Sequence, residues 1–256
     1  MATDLPLSAV VRRLKRTVLG IPGVLAVYQS LPLRFQRGAR RLRTQSPEQI
    51  FTDIYRNKAW GAGDSASGAG SSVQQTRDLV AALPVVFAAH EVSTVLDIPC
   101  GDFHWMQHVD LRGIDYVGAD IVQDLIDANT ARHTREHVRF EKLDLLRSPL
   151  PLVDLIVCRD CLVHFSFDDV FRALQAICDS GSSYLLTTTF TDRRRNRDIA
   201  TGQWRPLNLQ VAPFHLPAPL QLLRERCTEG DGAYADKSLG LWRVDDIRGS
   251  LVTRTR

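Results

Sequence analysis

The sequence predicts an α/β fold in which helices cover both faces of a doubly wound, mostly parallel sheet. Two observations support this class. Short apolar segments typical of strands alternate with segments of helical periodicity between residues 92 and 190, and several of these strands end in an aspartate. Such alternation implies right-handed crossovers between parallel strands, and ligands of these folds bind beyond the carboxyl ends of the strands. At 256 residues, the chain is long enough for one sizeable domain with appendages.

Composition and cysteine content set the broad class. Hydrophobic residues make up 44% of the chain and charged residues 24%, which are ordinary values for a globular protein. Because the five cysteines are an odd number, they cannot all pair within the chain. We therefore expect a reducing compartment and a cytoplasmic location.

Residues 1–45 are predicted to be a basic arm that is distinct from the rest. Nine lysine and arginine side chains stand there against Asp4 alone, so the arm carries +8 and the remainder −5 of a net charge of +3. Val10, Leu14 and Val18 share one helical face, whereas the apolar stretch 18–33 is too interrupted to span a membrane. The arm is either a loosely packed extension or a helix in peripheral contact with a membrane. We expect no nucleic-acid partner, since no recognised motif is present.

Residues 46–91 are predicted to be a helical preamble that contains a lid loop. Helical spacing covers Pro47–Tyr55 and Val73–His90. The segment between them, Trp60–Ser72, reads WGAGDSASGAGSS and is rich in glycine and serine. This composition suits either a slack linker or a polar lid that folds back over a ligand, and we favour the lid.

The core domain, residues 92–248, follows in a regular order. The predicted strands are Thr94–Ile98, Tyr116–Ala119, Val138–Leu143, Val153–Cys158 and Ser183–Thr188, with two more expected within Leu220–Val244. Helices are predicted around Trp105, over Val122–Arg132 and over Asp168–Cys178, the last capped by Ser166 or Asp168. Four carboxylates then fall at or just after strand ends, which predicts a ligand site at one sheet edge: Asp97, Asp120, Asp144 and Asp160.

The segment VLDIPCGDF, Val95–Phe103, is the most informative motif. An apolar strand ends in a carboxylate and runs directly into a tight turn that contains Gly101. Such a turn predicts a pocket for a nucleoside-bearing cofactor. A nicotinamide cofactor would make the protein an oxidoreductase, but that reading requires G-x-G-x-x-G, and here only Gly101 is present.

In the order of these motifs the chain resembles class I S-adenosylmethionine-dependent methyltransferases, and in particular a bacterial subgroup with an LDIPCGDF-type cofactor motif. The segments NRDIATGQWRPLNLQ and DGAYADKSLGLW resemble the same subgroup. The resemblance implies a Rossmann-like sheet of seven strands, one of them antiparallel. It also implies S-adenosylmethionine as the cofactor.

Cofactor roles follow from this resemblance. Asp97 and Gly101 would hold the methionine end, Asp120 would accept from both ribose hydroxyls, and Asp144 would accept from the adenine amino group. Pro99 and Phe103 stand where the family has glycines, and we expect Phe103 to narrow the turn. The full set of candidate cofactor residues is Trp60, Ser71, Asp97, Pro99, Cys100, Gly101, Asp120, Ile121, Asp144, Leu145 and Arg159.

Catalytic candidates lie after the fourth strand, in Cys158–Ser166. Asp160 is the favoured polar group and His164 the second candidate, because either could accept a proton from a hydroxyl acceptor. Each could instead be structural, and N-methylation stays open. Cys158, Cys161 and His164 also form C-x-x-C-x-x-H, but a closed zinc site needs four ligands, so no metal is expected.

The acceptor is predicted to be a small molecule or glycan that is methylated on oxygen. The long loop Thr191–Pro219 and the closing hairpin supply residues suited to stacking and anion contact. The alternative is a non-catalytic scaffold that binds an adenosyl ligand and docks through its basic arm. The sequence leaves the oligomeric state open. The candidate acceptor residues are Arg197, Trp204, Arg205, Asn208, Tyr234 and Lys237.

Overall fold

A computed structural model describes residue 42 and residues 44–60 and 64–252. Nearly all of the predicted basic arm, 1–45, therefore lies outside the described residues. The described chain forms seven strands: β1 (Thr94–Asp97), β2 (Asp115–Asp120), β3 (Val138–Lys142), β4 (Leu155–Cys158), β5 (Tyr184–Phe190), β6 (Gln221–Arg224) and β7 (Lys237–Arg243). Its α-helices from residue 47 onward are α1 (Pro47–Arg56), α2 (Val73–Ala89), α3 (Gln123–His133), α4 (Phe167–Asp179) and α5 (Val244–Val252).

The strands form one sheet in the order β3-β2-β1-β4-β5-β7-β6. Strands β1 to β5 run parallel to one another, whereas β7 pairs antiparallel with both β5 and β6. The predicted fold class is therefore confirmed, including its single reversed strand. Strand β1 lies next to β4 near the middle of the sheet, and the strand order reverses between these two strands. This is the switch point of a doubly wound fold, where ligands bind.

Local sequence fixes the helix starts. Ser46 forms a capping box with Gln49 at the start of α1, and the Ser72 side chain accepts a hydrogen bond from Gln75 N at the start of α2. At α4 it is Ser166 that accepts from Asp169 N, so Ser166 is the cap rather than Asp168. The helix predicted around Trp105 is only a single 3₁₀ turn, Met106–His108.

Hydrophobic side chains fill both faces of the sheet. Alternation along the strands sends Leu96 and Ile156 to the face covered by α4 and α5, and Val95 and Leu155 to the face covered by α2 and α3. All four are fully buried. Two-sided coverage explains why these strands are continuously apolar until they reach the carboxyl edge. Across the described residues, we find no helix with the length and hydrophobicity needed to cross a membrane.

Candidate active site

One cleft opens at the carboxyl edge of the parallel strands, with a volume of about 1070 Å³ that includes its open mouth. It is lined by the ends of β1, β2 and β4, the loop after β3, helix α1 and the glycine-serine loop. All eleven candidate cofactor residues line this cleft, and so do both candidate catalytic residues, Asp160 and His164. The sheet topology therefore brings together residues that are more than 100 positions apart in sequence.

Glycine is required at one position of the turn after β1. Gly101 has a φ of +55°, and a Cβ at this position would lie 2.2 Å from the Ser67 hydroxyl oxygen. The Gly101 N–H donates to Asp120 Oδ2 at 3.2 Å, which ties the turn to the end of β2. The Ser67 side chain and the positive φ together disfavour any residue other than glycine at this position.

Phe103, which the sequence predicts to narrow the turn, is not among the residues that line the cleft. Its backbone takes the left-handed conformation with a φ of +56°, and its side chain is fully buried beneath the turn. The ring packs against Tyr116 and Phe140 with centroid distances of 5.4 and 5.1 Å. Burial in this aromatic cluster compensates for a backbone conformation that would otherwise favour glycine.

Buried carboxyls line the cleft beside this turn. Asp97 accepts a hydrogen bond of 2.6 Å from the Tyr116 hydroxyl, but burial outweighs this contact and raises the pKa of Asp97 to about 7. Burial likewise raises the pKa of Asp120 to about 6, although Oδ1 accepts from Val122 N at 2.9 Å. Asp144 is less buried, and its Oδ1 accepts from Leu146 N at 2.9 Å. Each carboxylate oxygen retains further acceptor capacity for a ligand.

The glycine-serine loop, 64–72 in its described part, lies against the cleft and is held at two points. Asp102, in the turn after β1, accepts from Ala66 N at 2.6 Å and from the Ser65 hydroxyl at 2.9 Å. Arg159, after β4, donates through Nη2 to Gly70 O at 2.7 Å. Both anchors belong to the cleft wall, so the loop is fixed relative to the strands that form the site.

A cluster of four charged side chains lies under this loop: Arg159, Asp160, Glu225 and Lys237. Lys237 Nζ lies 2.6 Å from Asp160 Oδ2, and Arg159 Nη2 lies 2.6 Å from Glu225 Oε2. Burial alone would raise the pKa of Asp160, but Lys237 and Arg159 outweigh it and lower that pKa to about 2. Asp160 is consequently an ionised, paired carboxylate at neutral pH, with little tendency to take up a proton.

His164 is held as a neutral imidazole with a defined tautomer. Its Nδ1 lies 3.0 Å from the carbonyl oxygen of Gln203, so Nδ1–H is the donor and Nε2 is left as the acceptor. Burial lowers the pKa of His164 to about 4. The imidazole packs against the Trp60 ring with a centroid distance of 5.0 Å. This arrangement presents a proton acceptor at the cleft wall.

Aromatic residues form the side of the cleft next to His164. Phe51 and Tyr55 are one helical turn apart on α1, so both project toward the cleft, and Phe51 packs against Trp60 and Phe165 at 6.2 and 6.1 Å. Trp60 is 38% exposed, which leaves part of its ring available to a ligand. Flat aromatic surfaces of this kind suit a ring-shaped acceptor.

The model of a family described as a methyltransferase domain matches residues 73–249, which is well over half of the sequence. The chain belongs to this methyltransferase family. Its members use S-adenosylmethionine as methyl donor.

Solved structures resemble this methyltransferase in fold. Human N-acetylserotonin methyltransferase in complex with SAM aligns with a TM-score of 0.51 and 15% identity over 78% of this chain. Magnesium protoporphyrin IX methyltransferase from Synechocystis with bound SAM aligns with a TM-score of 0.46 and 15% identity, over 60% of this chain and 81% of that one. The alignment spans only 60% of the human enzyme's length. No relative was found among curated proteins.

The six candidate acceptor residues of the methyltransferase lie elsewhere: none of them is among the described residues that line the cleft. Arg205 and Asn208 are buried and donate to main-chain carbonyls. Lys237 pairs with Asp160, and Trp204 packs against Tyr234 with a centroid distance of 5.0 Å. The sixth residue, Arg197, is partly buried in the same late loop. These contacts lie within the protein, but Arg197 Nη1 is buried without a hydrogen-bond partner among the described residues, and the assignment of the six residues to the acceptor stays a prediction.

Sequence reasoning missed most of the aromatic wall. The spacing in PEQIFTDIY predicts an amphipathic helix, and Phe51 and Tyr55 lie on one side of it, but nothing local indicates which element that side meets. It also missed Asp102 as the anchor of the glycine-serine loop. Cys158, Cys161 and His164 do not form a metal site; within the described part of the chain, no cluster of three or more potential ligands was found.

Proposed function

We propose that this methyltransferase transfers a methyl group to a hydroxyl of a small molecule or glycan, with His164 as the general base. The observation that carries the proposal is the hydrogen bond between His164 and Gln203 O, which leaves Nε2 as a proton acceptor at the cleft. The donor supplies an electrophilic methyl carbon. A hydroxyl acceptor must lose a proton during attack, so a positioned base accelerates this reaction.

The sequence predicts Asp160 as the favoured proton acceptor and His164 as the second candidate. The ion pairs of Asp160 argue for the opposite ranking. A carboxylate with a pKa near 2, paired to Lys237 at 2.6 Å, is a poor base. Asp160 is better suited to accept a hydrogen bond from a second acceptor hydroxyl, because it remains ionised throughout the neutral range. His164 is also a weak base, but its imidazole is neutral at pH 7 and already in the reactive tautomer.

Donor binding is assigned to the acidic side of the cleft. Asp97 would accept from the amino group at the methionine end, Asp120 from the ribose hydroxyls and Asp144 from the adenine amino group. Gly101 has no side chain at the point where the turn meets the Ser67 hydroxyl, so the glycine-serine loop can close against this turn. The other candidate cofactor residues would complete the donor site with that loop as its lid, and Trp60 would border both the donor and the acceptor; these other residues are Ser71, Pro99, Cys100, Ile121, Leu145 and Arg159.

The acceptor would bind as a ring against Phe51, Tyr55 and Trp60. Both aromatic compounds and sugars present flat apolar faces to such a surface. Hydroxyl groups on the ring would meet Asp160 and His164. This arrangement accommodates a phenol or a sugar, and both belong in the acceptor panel that tests the proposal.

The test is turnover of the full-length chain with S-adenosylmethionine and a panel of phenols and neutral sugars, read out as release of S-adenosylhomocysteine. His164→Ala should lower kcat about 100-fold, which is typical for loss of a general base. Calorimetry should show unchanged affinity for S-adenosylhomocysteine. The matched control is His108→Ala, which removes an exposed histidine outside the cleft and should leave both values unchanged.

Two results would contradict the proposal. Full turnover by His164→Ala would exclude this histidine as the base. Donor binding without turnover of any acceptor would favour the alternative of a non-catalytic adenosyl-binding scaffold, and binding of the intact chain to anionic vesicles would then test docking through residues 1–45.

A further inference from the structure

Arg205 is a buried arginine whose donors all reach main-chain carbonyls. Only 1% of its surface is exposed. Nη1 donates to Leu162 O and Nη2 to Phe165 O, both at 2.9 Å, and Nε donates to Arg197 O at 3.1 Å. The guanidinium also lies 5.6 Å from the centroid of the Phe167 ring. Burial of a charged group costs free energy unless the group is hydrogen-bonded, and these contacts offset the lost hydration of the guanidinium.

The two carbonyls nearest to the site belong to the segment that carries His164. Residues Leu162–His164 form a single 3₁₀ turn, which is closed by the hydrogen bond from Phe165 N to Leu162 O at 3.2 Å. Arg205 adds a second donor to Leu162 O and donates to Phe165 O, so it contacts the backbone on either side of His164. A lysine could not do this, because only the planar guanidinium reaches three separated acceptors at once.

Neighbouring main-chain bonds hold the same turn. Gly202 N donates to His164 O at 2.8 Å, and Arg205 N donates to Val163 O at 3.1 Å. Gln203 O accepts from His164 Nδ1 at 3.0 Å. The segment 202–205 therefore fixes both the backbone and the imidazole of His164, and the Arg205 side chain joins this segment to the turn.

We propose that Arg205 is a positioning residue for methyl transfer, which holds the turn 162–165 so that His164 Nε2 faces the acceptor. This rests on the proposed role of His164 as base. It gives the late loop Thr191–Pro219 a function other than acceptor contact. An acceptor would not touch Arg205; its effect reaches the reaction only through the turn.

Charge supports the same role. Burial lowers the pKa of Arg205 to about 9, which still leaves the guanidinium protonated at neutral pH. The charged groups that act on His164 are Asp160, which raises the pKa of its imidazole, and Arg205 and Lys237, which lower it. Removal of the Arg205 charge should therefore raise the pKa of His164. A substitution that keeps the charge and removes only the hydrogen bonds of the guanidinium should not.

The test compares Arg205→Met and Arg205→Lys with the control Arg195→Met, which removes an exposed arginine from the same loop. In the full-length chain, ¹⁵N and ¹³C imidazole NMR follows the tautomer and titration of His164, assigned by its loss in His164→Gln. Arg205→Met should raise the pKa of His164 and produce a mixture of its two tautomers. Arg205→Lys should produce the same mixture with a smaller change in the pKa. With an acceptor, both should lower kcat by up to about 100-fold, as expected for a misplaced base, while KM and donor affinity stay within twofold.

Retained donor affinity, measured by calorimetry with S-adenosylhomocysteine, shows that each variant is folded. If Arg205→Met does not fold, Arg205→Lys carries the test, since it keeps the charge. Unchanged His164 resonances and kcat in a folded variant would overturn the proposal. A His164→Ala variant with full turnover would instead overturn the role of the base, and the NMR result would still decide whether Arg205 holds the turn.

Discussion

The proposed donor and acceptor sides of the cleft hold their carboxylates in opposite ways. Asp97 and Asp120 are buried and form no ion pair with a cationic side chain of the described residues, and burial raises their pKa values to about 7 and 6. Asp160, on the acceptor side, is paired with Lys237 and has a pKa of about 2. The donor side is therefore incomplete until a ligand supplies hydrogen-bond donors or positive charge. On the proposed acceptor side, Asp160 already has its cationic partners, Arg159 and Lys237, within the protein.

The two sides also differ in how the chain builds them. Donor-side residues directly follow β1, β2 and β3, so each is positioned by the strand that precedes it. The acceptor side combines α1, Trp60 and the turn 162–165, and that turn is held by residues 202–205. A strand end is a local feature of the sequence, whereas this second wall exists only after distant segments have packed.

Asp120→Ala should give the largest effect, a loss of donor affinity, and it tests the proposed donor side of this comparison. If the carboxylate accepts from both ribose hydroxyls, the loss of two charge-assisted hydrogen bonds of about 1.5–3 kcal/mol each corresponds to at least about 100-fold weaker binding. Calorimetry with S-adenosylhomocysteine measures this change. The matched control is Asp154→Ala, because Asp154 accepts hydrogen bonds from Ser93 and Thr94 at the opposite end of the strands.

The control should lower thermal stability and leave donor affinity unchanged. Equal loss of affinity in both variants would mean that Asp120 acts only by holding the fold, through its bonds to Gly101 N and Val122 N. The donor side would then not differ in kind from other buried carboxylates of the chain.

The pH dependence of donor binding gives the next effect in size. Because the pKa values of Asp97 and Asp120 are raised in the free protein, protonation competes with a donor that needs the ionised forms. Affinity for S-adenosylhomocysteine should weaken by about tenfold per pH unit below the pKa of either carboxyl. Calorimetry between pH 8 and 5 measures the slope, and proton release on binding near pH 6.5 provides an independent readout.

The folding stability of the free protein should change with pH in the opposite direction to donor affinity. A carboxyl with a raised folded pKa contributes stability that is present at acidic pH and lost as the pH rises through about 6 to 7. Asp160 has a lowered pKa, so its contribution is present at neutral pH and lost only as the pH falls toward 2. Donor affinity that is constant from pH 8 to 5 would contradict the distinction between the two sides.

This contrast explains how much could be predicted from the sequence. The mostly parallel sheet and the convergence of Asp97, Asp120 and Asp144 on one edge follow from alternation and from the motif after β1, whereas the seven strands with one reversed follow from the resemblance to methyltransferases. Phe103 could not be read correctly, because its fit depends on Tyr116 and Phe140 beneath the turn. A left-handed backbone at a bulky residue has no local signature.

The acceptor residues were harder for the same reason. Arg205 and Trp204 have the composition of a ligand site, and yet Arg205 binds carbonyls of the turn 162–165 and Trp204 packs on Phe190. Arginine and tryptophan have the same sequence signal whether they bind a ligand or a neighbouring loop. Only packing distinguishes these roles, and the contacts of Arg205 support the proposal that the late loop holds His164 in place.

Phe51→Ala should give the smallest effect and sharpens the comparison on the acceptor side. An aromatic contact contributes about 0.5–1.5 kcal/mol, so KM for the acceptor should rise by up to about tenfold while the affinity for S-adenosylhomocysteine stays the same. The control is Phe171→Ala, which removes an equally half-buried phenylalanine that packs against Phe214 at 5.0 Å, away from the cleft. Steady-state kinetics at saturating donor separate the two variants. A rise in KM confined to Phe51→Ala would establish α1 as part of the acceptor site. Weaker donor binding in that variant would instead make the aromatic wall part of the donor side. The distinction between the two sides of the cleft would then no longer hold.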